Sequence, residues 1–105
     1  MELTTEELKE KINNNEKVVV DFYAPWCMPC TTMKPVYIKV SEENKNSGSD
    51  VQMYVMDVEK NGEMAASLGI RSIPTIKGFS GGKEVVSKTG LLSEIQIKEL
   101  LNNFY

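Results

Sequence analysis

Histidine is absent from the 105 residues, and cysteine and tryptophan are nearly so, at two and one. The missing histidine excludes most. A structural zinc site usually takes four Cys or His ligands, so two cysteines cannot complete one within the chain. Attachment of c-type haem needs His directly after the second cysteine of a Cys-x-x-Cys pair, and Thr31 stands there instead. Positive charge is also short, with 12 Lys and Arg against 15 Asp and Glu, a net charge of −3. No basic stripe is left for phosphates, which argues against nucleic acid as a partner. No run approaches the roughly 20 apolar residues that span a bilayer. The opening Met1-Glu2-Leu3-Thr4-Thr5-Glu6-Glu7 is acidic where a signal peptide is basic and then apolar. The expected protein is a cytoplasmic monomer with no membrane partner, in a compartment where structural disulfides are uncommon.

What is present centres on one hexapeptide, Pro25-Trp26-Cys27-Met28-Pro29-Cys30, which holds both cysteines and the only tryptophan. A hydrophobic content of 41% over this length suits one soluble domain, residues 1–105, with a core that needs no cross-links. Thr4 and Glu7 form a capping box for a first helix running to about Ile12, with Leu3 and Leu8 placed as a hydrophobic staple. Lys17 to Tyr23 reads as a strand, and its unbroken valines predict cover on both faces. A second helix starts near Cys27. Met33, Val36, Tyr37 and Val40 share one face of it. Pro29 falls in its first turn and Pro35 inside it, where a kink is expected. The polar stretch from Asn44 to Asp50 marks its exit loop.

Val51 to Val58 reads as a second strand, parallel to the first through a right-handed crossover. Asn61 is placed to cap a short helix ending at Leu68–Gly69. Ile73 to Phe79, the glycines at 81 and 82, and Glu84-Val85-Val86 predict a hairpin, with Gly78 a weak point in its first strand. Ser93 and Gln96 form another capping box. Ile97, Leu100, Leu101 and Phe104 give the last helix one apolar face.

With zinc and haem set aside, thiol–disulfide exchange is the chemistry left for the cysteines. A zinc site shared between two chains and an inert buried pair are the alternatives. Cys27 at a helix start faces unpaired amides and the positive dipole end, which favour its thiolate. Thiolate is the attacking species in exchange. Cys30, one turn further in, is placed to resolve the mixed disulfide. A carboxylate inside a valine strand is costly unless paired, and desolvation raises its pKa. Asp21, on the same face as Val19 and Tyr23, is that case.

At these residues the chain resembles the thioredoxin family. Val19-Val20-Asp21-Phe22-Tyr23-Ala24-Pro25-Trp26-Cys27-x-Pro29-Cys30 looks like the family's active-site strand and loop. Pro35 matches its kinking proline, Gly69-Ile70-Arg71-Ser72-Ile73-Pro74-Thr75 its cis-proline segment, and Gly82 and Gly90 two further glycines. The resemblance implies the α/β thioredoxin fold, a central mixed sheet of four to five strands flanked by about four helices. It implies a disulfide reductase with no bound cofactor or metal. Its partners are then disulfide-containing proteins and an NADPH-linked thioredoxin reductase, which supplies reducing equivalents. An oxidase or isomerase on the same fold, and a binding subunit of a larger assembly, are the competing readings.

The resemblance also implies that Ile73–Pro74 is cis and lies against the cysteines, against the plain reading of a turn proline. It makes Asp21 the general base for Cys30 through water, against a purely structural aspartate. Trp26, Met28, Pro29, Val58, Ile73, Pro74, Gly90 and Leu91 align with an apolar docking surface around an exposed thiol, although any of them, Val58 above all, suits a core. Three departures stand out. Met28 replaces the usual glycine, which bears on potential and substrate choice. Val55 stands where a lysine often neighbours the aspartate, leaving Asp21 without a charge partner. Only Met1-Glu2-Leu3 remain for a first edge strand.

Overall fold

The computed structural model describes the whole chain, Met1–Tyr105. Four helices and four strands follow in the order α1 (Thr5–Asn13), β1 (Val18–Tyr23), α2 (Met28–Asn46), β2 (Gln52–Asp57), α3 (Gly62–Ser67), β3 (Thr75–Ser80), β4 (Lys83–Thr89) and α4 (Glu94–Leu100), with a 3-10 turn over Leu101–Phe104. The strands form one mixed sheet in the order β2-β1-β3-β4. β1 runs parallel to β2 with α2 as the crossover, and antiparallel to β3. The expected edge strand reduces to a single bridge, Glu2 to Val55, in which the Leu3 amide donates to the Val55 carbonyl at 2.9 Å.

β1 is central, and its alternation distributes side chains to two cores. Val18, Val20 and Phe22 meet Leu8 of α1, Met64 of α3, Met56 and Phe79. Val19 meets Met33, Tyr37 and Val40 of α2, Ile97 and Leu100 of α4, and Phe104. Both layers of helices therefore need a valine-rich strand between them, which is why the run has no polar alternation. Thr4 and Ser93 close the predicted capping boxes on α1 and α4.

The hairpin turns at Gly81 and Gly82, with φ of +63° and +80°. Gly78 has a positive reason to be glycine. A Cβ there would lie 2.7 Å from Val86 Cγ1 and 2.8 Å from Phe104 Cζ, so the last turn of the chain packs onto bare backbone.

Two sequence expectations are corrected. α2 continues to Asn46 instead of yielding to loop at Asn44, because Asn44 is buried and its amide donates to the Val51 carbonyl at 2.7 Å. Asn61 occupies the N-cap of α3 but gives it no side-chain cap. Its Oδ1 instead accepts from the Thr5 amide at 3.0 Å and the Thr5 hydroxyl at 2.7 Å, tying α3 to α1.

Candidate active site

The hexapeptide spans the gap between the end of β1 and the start of α2. Cys27 is the N-cap of α2, with extended backbone, and Pro29 lies in the first turn, where a missing N–H is harmless. The Cys27 sulfur accepts the Cys30 amide at 3.3 Å, the bond that Ser or Thr oxygens make at the other capped helices. Cys27 and Cys30 are joined as a disulfide across a Cα–Cα distance of 5.3 Å. The Thr31 hydroxyl donates to the Cys27 carbonyl at 3.1 Å. Helix initiation and thiol placement are thus one geometric arrangement.

Cys27 is only 5% exposed in the closed ring, because it packs with Ala24, Cys30 and the flanking Ile73. The accessible apolar surface belongs to its neighbours, with Trp26 68% and Met28 77% exposed. Pro29 and Leu91 are also exposed, Val58, Ile73 and Gly90 half-buried, and Pro74 buried.

The Ile73–Pro74 bond is cis. It delivers the Ile73 carbonyl to 3.9 Å from the Cys27 sulfur. The Gly90 amide, at φ +103°, donates to the Pro74 carbonyl at 2.8 Å and sets Leu91 beside this loop. Trp26, Val58 and Ile73 line one shallow groove of about 310 Å³ together with Ala66, Ile70 and Arg71.

On the other side of the ring, Asp21 and Cys30 line a cleft of about 330 Å³ with Tyr23, Pro25, Lys34 and Val55. Asp21 is 1% exposed, and its Oδ1 accepts no hydrogen bond from any protein group. Desolvation pushes its carboxyl up to about 7, against a smaller opposing pull from Lys34. Val55 is its register partner on β2 and offers no charge. The cleft is roomy enough to hold water between Asp21 and Cys30. Asp21 is therefore a carboxyl that titrates near neutrality on the same open space as one half of the disulfide.

Sequence reading did not single out several residues of the site. Lys34 lies four residues after Cys30 on α2, and that helical spacing was the available signal. Its charge modifies the expectation that Asp21 has no cation near it. Glu59 accepts from the Trp26 indole N–H at 2.7 Å and holds the exposed ring. Buried Asp57 accepts the amide of Glu59 at 2.8 Å and so shapes the turn carrying it. No group of three or more His, Cys, Asp or Glu is arranged to hold a metal ion.

The thioredoxin family model matches residues 1–103. A thioredoxin from Mycoplasmoides gallisepticum is 38% identical over 95 residues, 90% of this chain and 91% of that one. A thioredoxin from Pyropia yezoensis is also 38% identical, over 91% of this chain and 87% of its own length. The solved thioredoxin of Fasciola hepatica superposes with a TM-score of 0.84 at 31% identity, covering 97% of this chain and 95% of that one. With its two cysteines at disulfide distance on this sheet and helix, the chain belongs to the thioredoxin family and is a thiol–disulfide oxidoreductase.

Proposed function

We propose that the protein reduces disulfides in other proteins, with Cys27 as nucleophile, Cys30 as resolving thiol and Asp21 as general base. The single observation behind this assignment is the N-cap position of Cys27, whose sulfur already accepts an amide of α2. A thiolate there meets the positive end of a helix dipole and several amide donors, and a negative sulfur gains most from both.

The reduced protein acts in two steps. The Cys27 thiolate attacks one sulfur of the substrate disulfide. A mixed disulfide forms and the other substrate sulfur leaves as thiolate. The Cys30 thiol then passes its proton through water to the Asp21 carboxylate and attacks the Cys27 sulfur. The second substrate sulfur leaves, the substrate is reduced by two electrons, and the Cys27–Cys30 disulfide closes. The exposed Trp26, Met28, Pro29 and Leu91, with Ile73, Pro74 and Gly90, form the docking surface for the substrate chain. An apolar patch beside an accessible carbonyl suits extended, sequence-diverse partners.

Reducing equivalents come from NADPH through a thioredoxin reductase, and the working compartment is the reducing cytoplasm. The test is insulin disulfide reduction with dithiothreitol as electron source, wild type against Cys27→Ser. Serine keeps the cap and the helix, so the variant folds. Its rate is expected to fall to the uncatalysed background. Equal rates overturn the assignment.

A further inference from the structure

The cleft between Asp21 and Cys30 has a cation at its mouth that the two-cysteine chemistry does not account for. Lys34 sits one helical turn beyond Cys30, on the same face of α2, and lines the cleft with both residues. It forms no ion pair with any carboxylate, unlike Lys39 and Lys98 further along the helices, which are both paired to Glu94. Instead its ammonium lies 5.5 Å from the centre of the Tyr23 ring, within cation–π range. The Tyr23 hydroxyl donates to the Glu2 carboxylate. Glu2 belongs to the segment that bridges to Val55. Tyr23, Val55 and Lys34 thus line the cleft, and Glu2 ties Tyr23 to the segment paired with Val55.

We propose that Lys34 is a positioning residue for the resolving step, its ammonium held at the mouth of the cleft so that Asp21 is a carboxylate when Cys30 gives up its proton. This rests on the reading of Asp21 as general base. The other groups around Asp21 cannot supply that charge. α2 presents Cys30 and the buried Tyr37 besides Lys34. β2 presents uncharged Val55 at Asp21's own register and Asp57 beside Tyr23. β3 presents Ile76. Tyr23 and Glu2 complete the set, and neither is positive. Lys34 is the one cation that acts on Asp21, and it acts to favour the ionised form. It takes the place left empty by Val55, reaching the carboxylate from the helix where a lysine on β2 would reach it from the sheet.

The test follows resolution alone. Reduced protein is mixed in stopped flow with an uncharged dipyridyl disulfide, which releases one pyridinethione on attack by Cys27 and a second on resolution by Cys30. The pH midpoint of the second phase is measured for wild type, Lys34→Met, Lys34→Arg and Asp21→Asn. Met keeps the aliphatic stem over Tyr23 and Arg keeps the charge. Lys34→Met is expected to move the midpoint up by roughly half a unit, about threefold in rate below it, and Lys34→Arg to leave it in place. Added salt should move the wild-type midpoint toward that of Lys34→Met and leave the variant still.

Three results overturn the proposal. If Asp21→Asn flattens the profile while Lys34→Met leaves the midpoint unchanged, Lys34 has no role and Asp21 stands. If Lys34→Arg shifts the midpoint as Lys34→Met does, shape and not charge is responsible. If Asp21→Asn leaves the profile unaltered, the general-base reading fails, and the role of Lys34 fails with it.

Discussion

The two faces of β1 share one backbone and do opposite things for the fold. Val18, Val20 and Phe22 are fully buried among apolar side chains from α1, α3 and the sheet. The other face reads Val19, Asp21, Tyr23 and passes from core at one end to the cleft under Cys30 at the other. Burying each large apolar side chain on the first face stabilises the fold by about 1.5–3 kcal/mol. Asp21 sits as deeply as any of them but brings a carboxyl group that burial disfavours once it ionises. The first face holds the strand in place. The second gives up part of that stability to bury a carboxyl group on the cleft that Cys30 also lines.

The largest break in this comparison comes from Phe22→Ala. It opens a cavity between α1, α3 and the sheet, and a loss of about 3–5 kcal/mol in denaturant unfolding is expected. Phe22 points away from the cleft, so the folded fraction should reduce insulin at the wild-type rate. A loss below about 1 kcal/mol, or a slower rate at full folding, would show that the two faces are not separable.

Asp21→Asn tests the other face. The carboxyl is raised from 3.8 to about 7 in the folded chain. Between those values the folded protein keeps a proton that the unfolded chain has lost. The stability Asp21 contributes is therefore fully present below about pH 4 and is lost as pH rises to about 7, by up to roughly 4 kcal/mol in all. Asn removes that slope. The variant should match wild type at pH 4 and exceed it by about 2–4 kcal/mol at pH 8, allowing for the unpartnered amide it buries. Its resolving step should slow by roughly tenfold or more at neutral pH. A stability difference between wild type and Asp21→Asn that stays constant between pH 4 and 7 would contradict the burial argument.

This division of labour was largely legible in the sequence, for reasons that differ by residue. An aspartate in a valine run marks itself, because chemistry that opposes folding stands out against a pattern that favours it. Cys27 before Pro29 marks a helix start, and the capping boxes at Thr4 and Ser93 are local in the same way. Glu59 and Asp57 leave no such mark, and Lys34 leaves only its helical spacing from Cys30. A charged residue on a helix or in a turn reads as solvated surface until the fold shows what it faces. Asn61 and Asn44 depart from local expectation for a related reason. Asparagine signals a cap or a loop in local terms, and here each side chain is engaged by a distant backbone or hydroxyl. The cover over Cys27 depends on the Ile73 loop arriving from 46 residues away.

Gly78→Ala sharpens the comparison by probing the closed end of Asp21's face. Gly78 is the register partner of Val19, and an added methyl would press on Val86 and Phe104. Those side chains must shift, at a cost of about 1–3 kcal/mol in unfolding. The same face would then be tightly packed at one end and open at the other. An unchanged or raised stability would show that Phe104 yields freely and that the end is loosely packed.

Tyr37→Phe is the smallest change and separates two buried polar groups on the same face. The Tyr37 hydroxyl donates to the Tyr54 carbonyl at 2.6 Å, deep in the core. Desolvation first and the Asp21 charge second push its ionisation far above the usual tyrosine range. It therefore stays neutral between pH 4 and 7 and contributes nothing to the slope there. Removing the hydroxyl should cost about 1 kcal/mol at every pH in that window, the net worth of one buried hydrogen bond. The pH dependence itself should be untouched, as should the midpoint of the resolving step. If Tyr37→Phe instead flattened the stability curve as Asp21→Asn does, the two groups would be titrating as a pair, and the slope could not be assigned to the carboxyl under Cys30 alone.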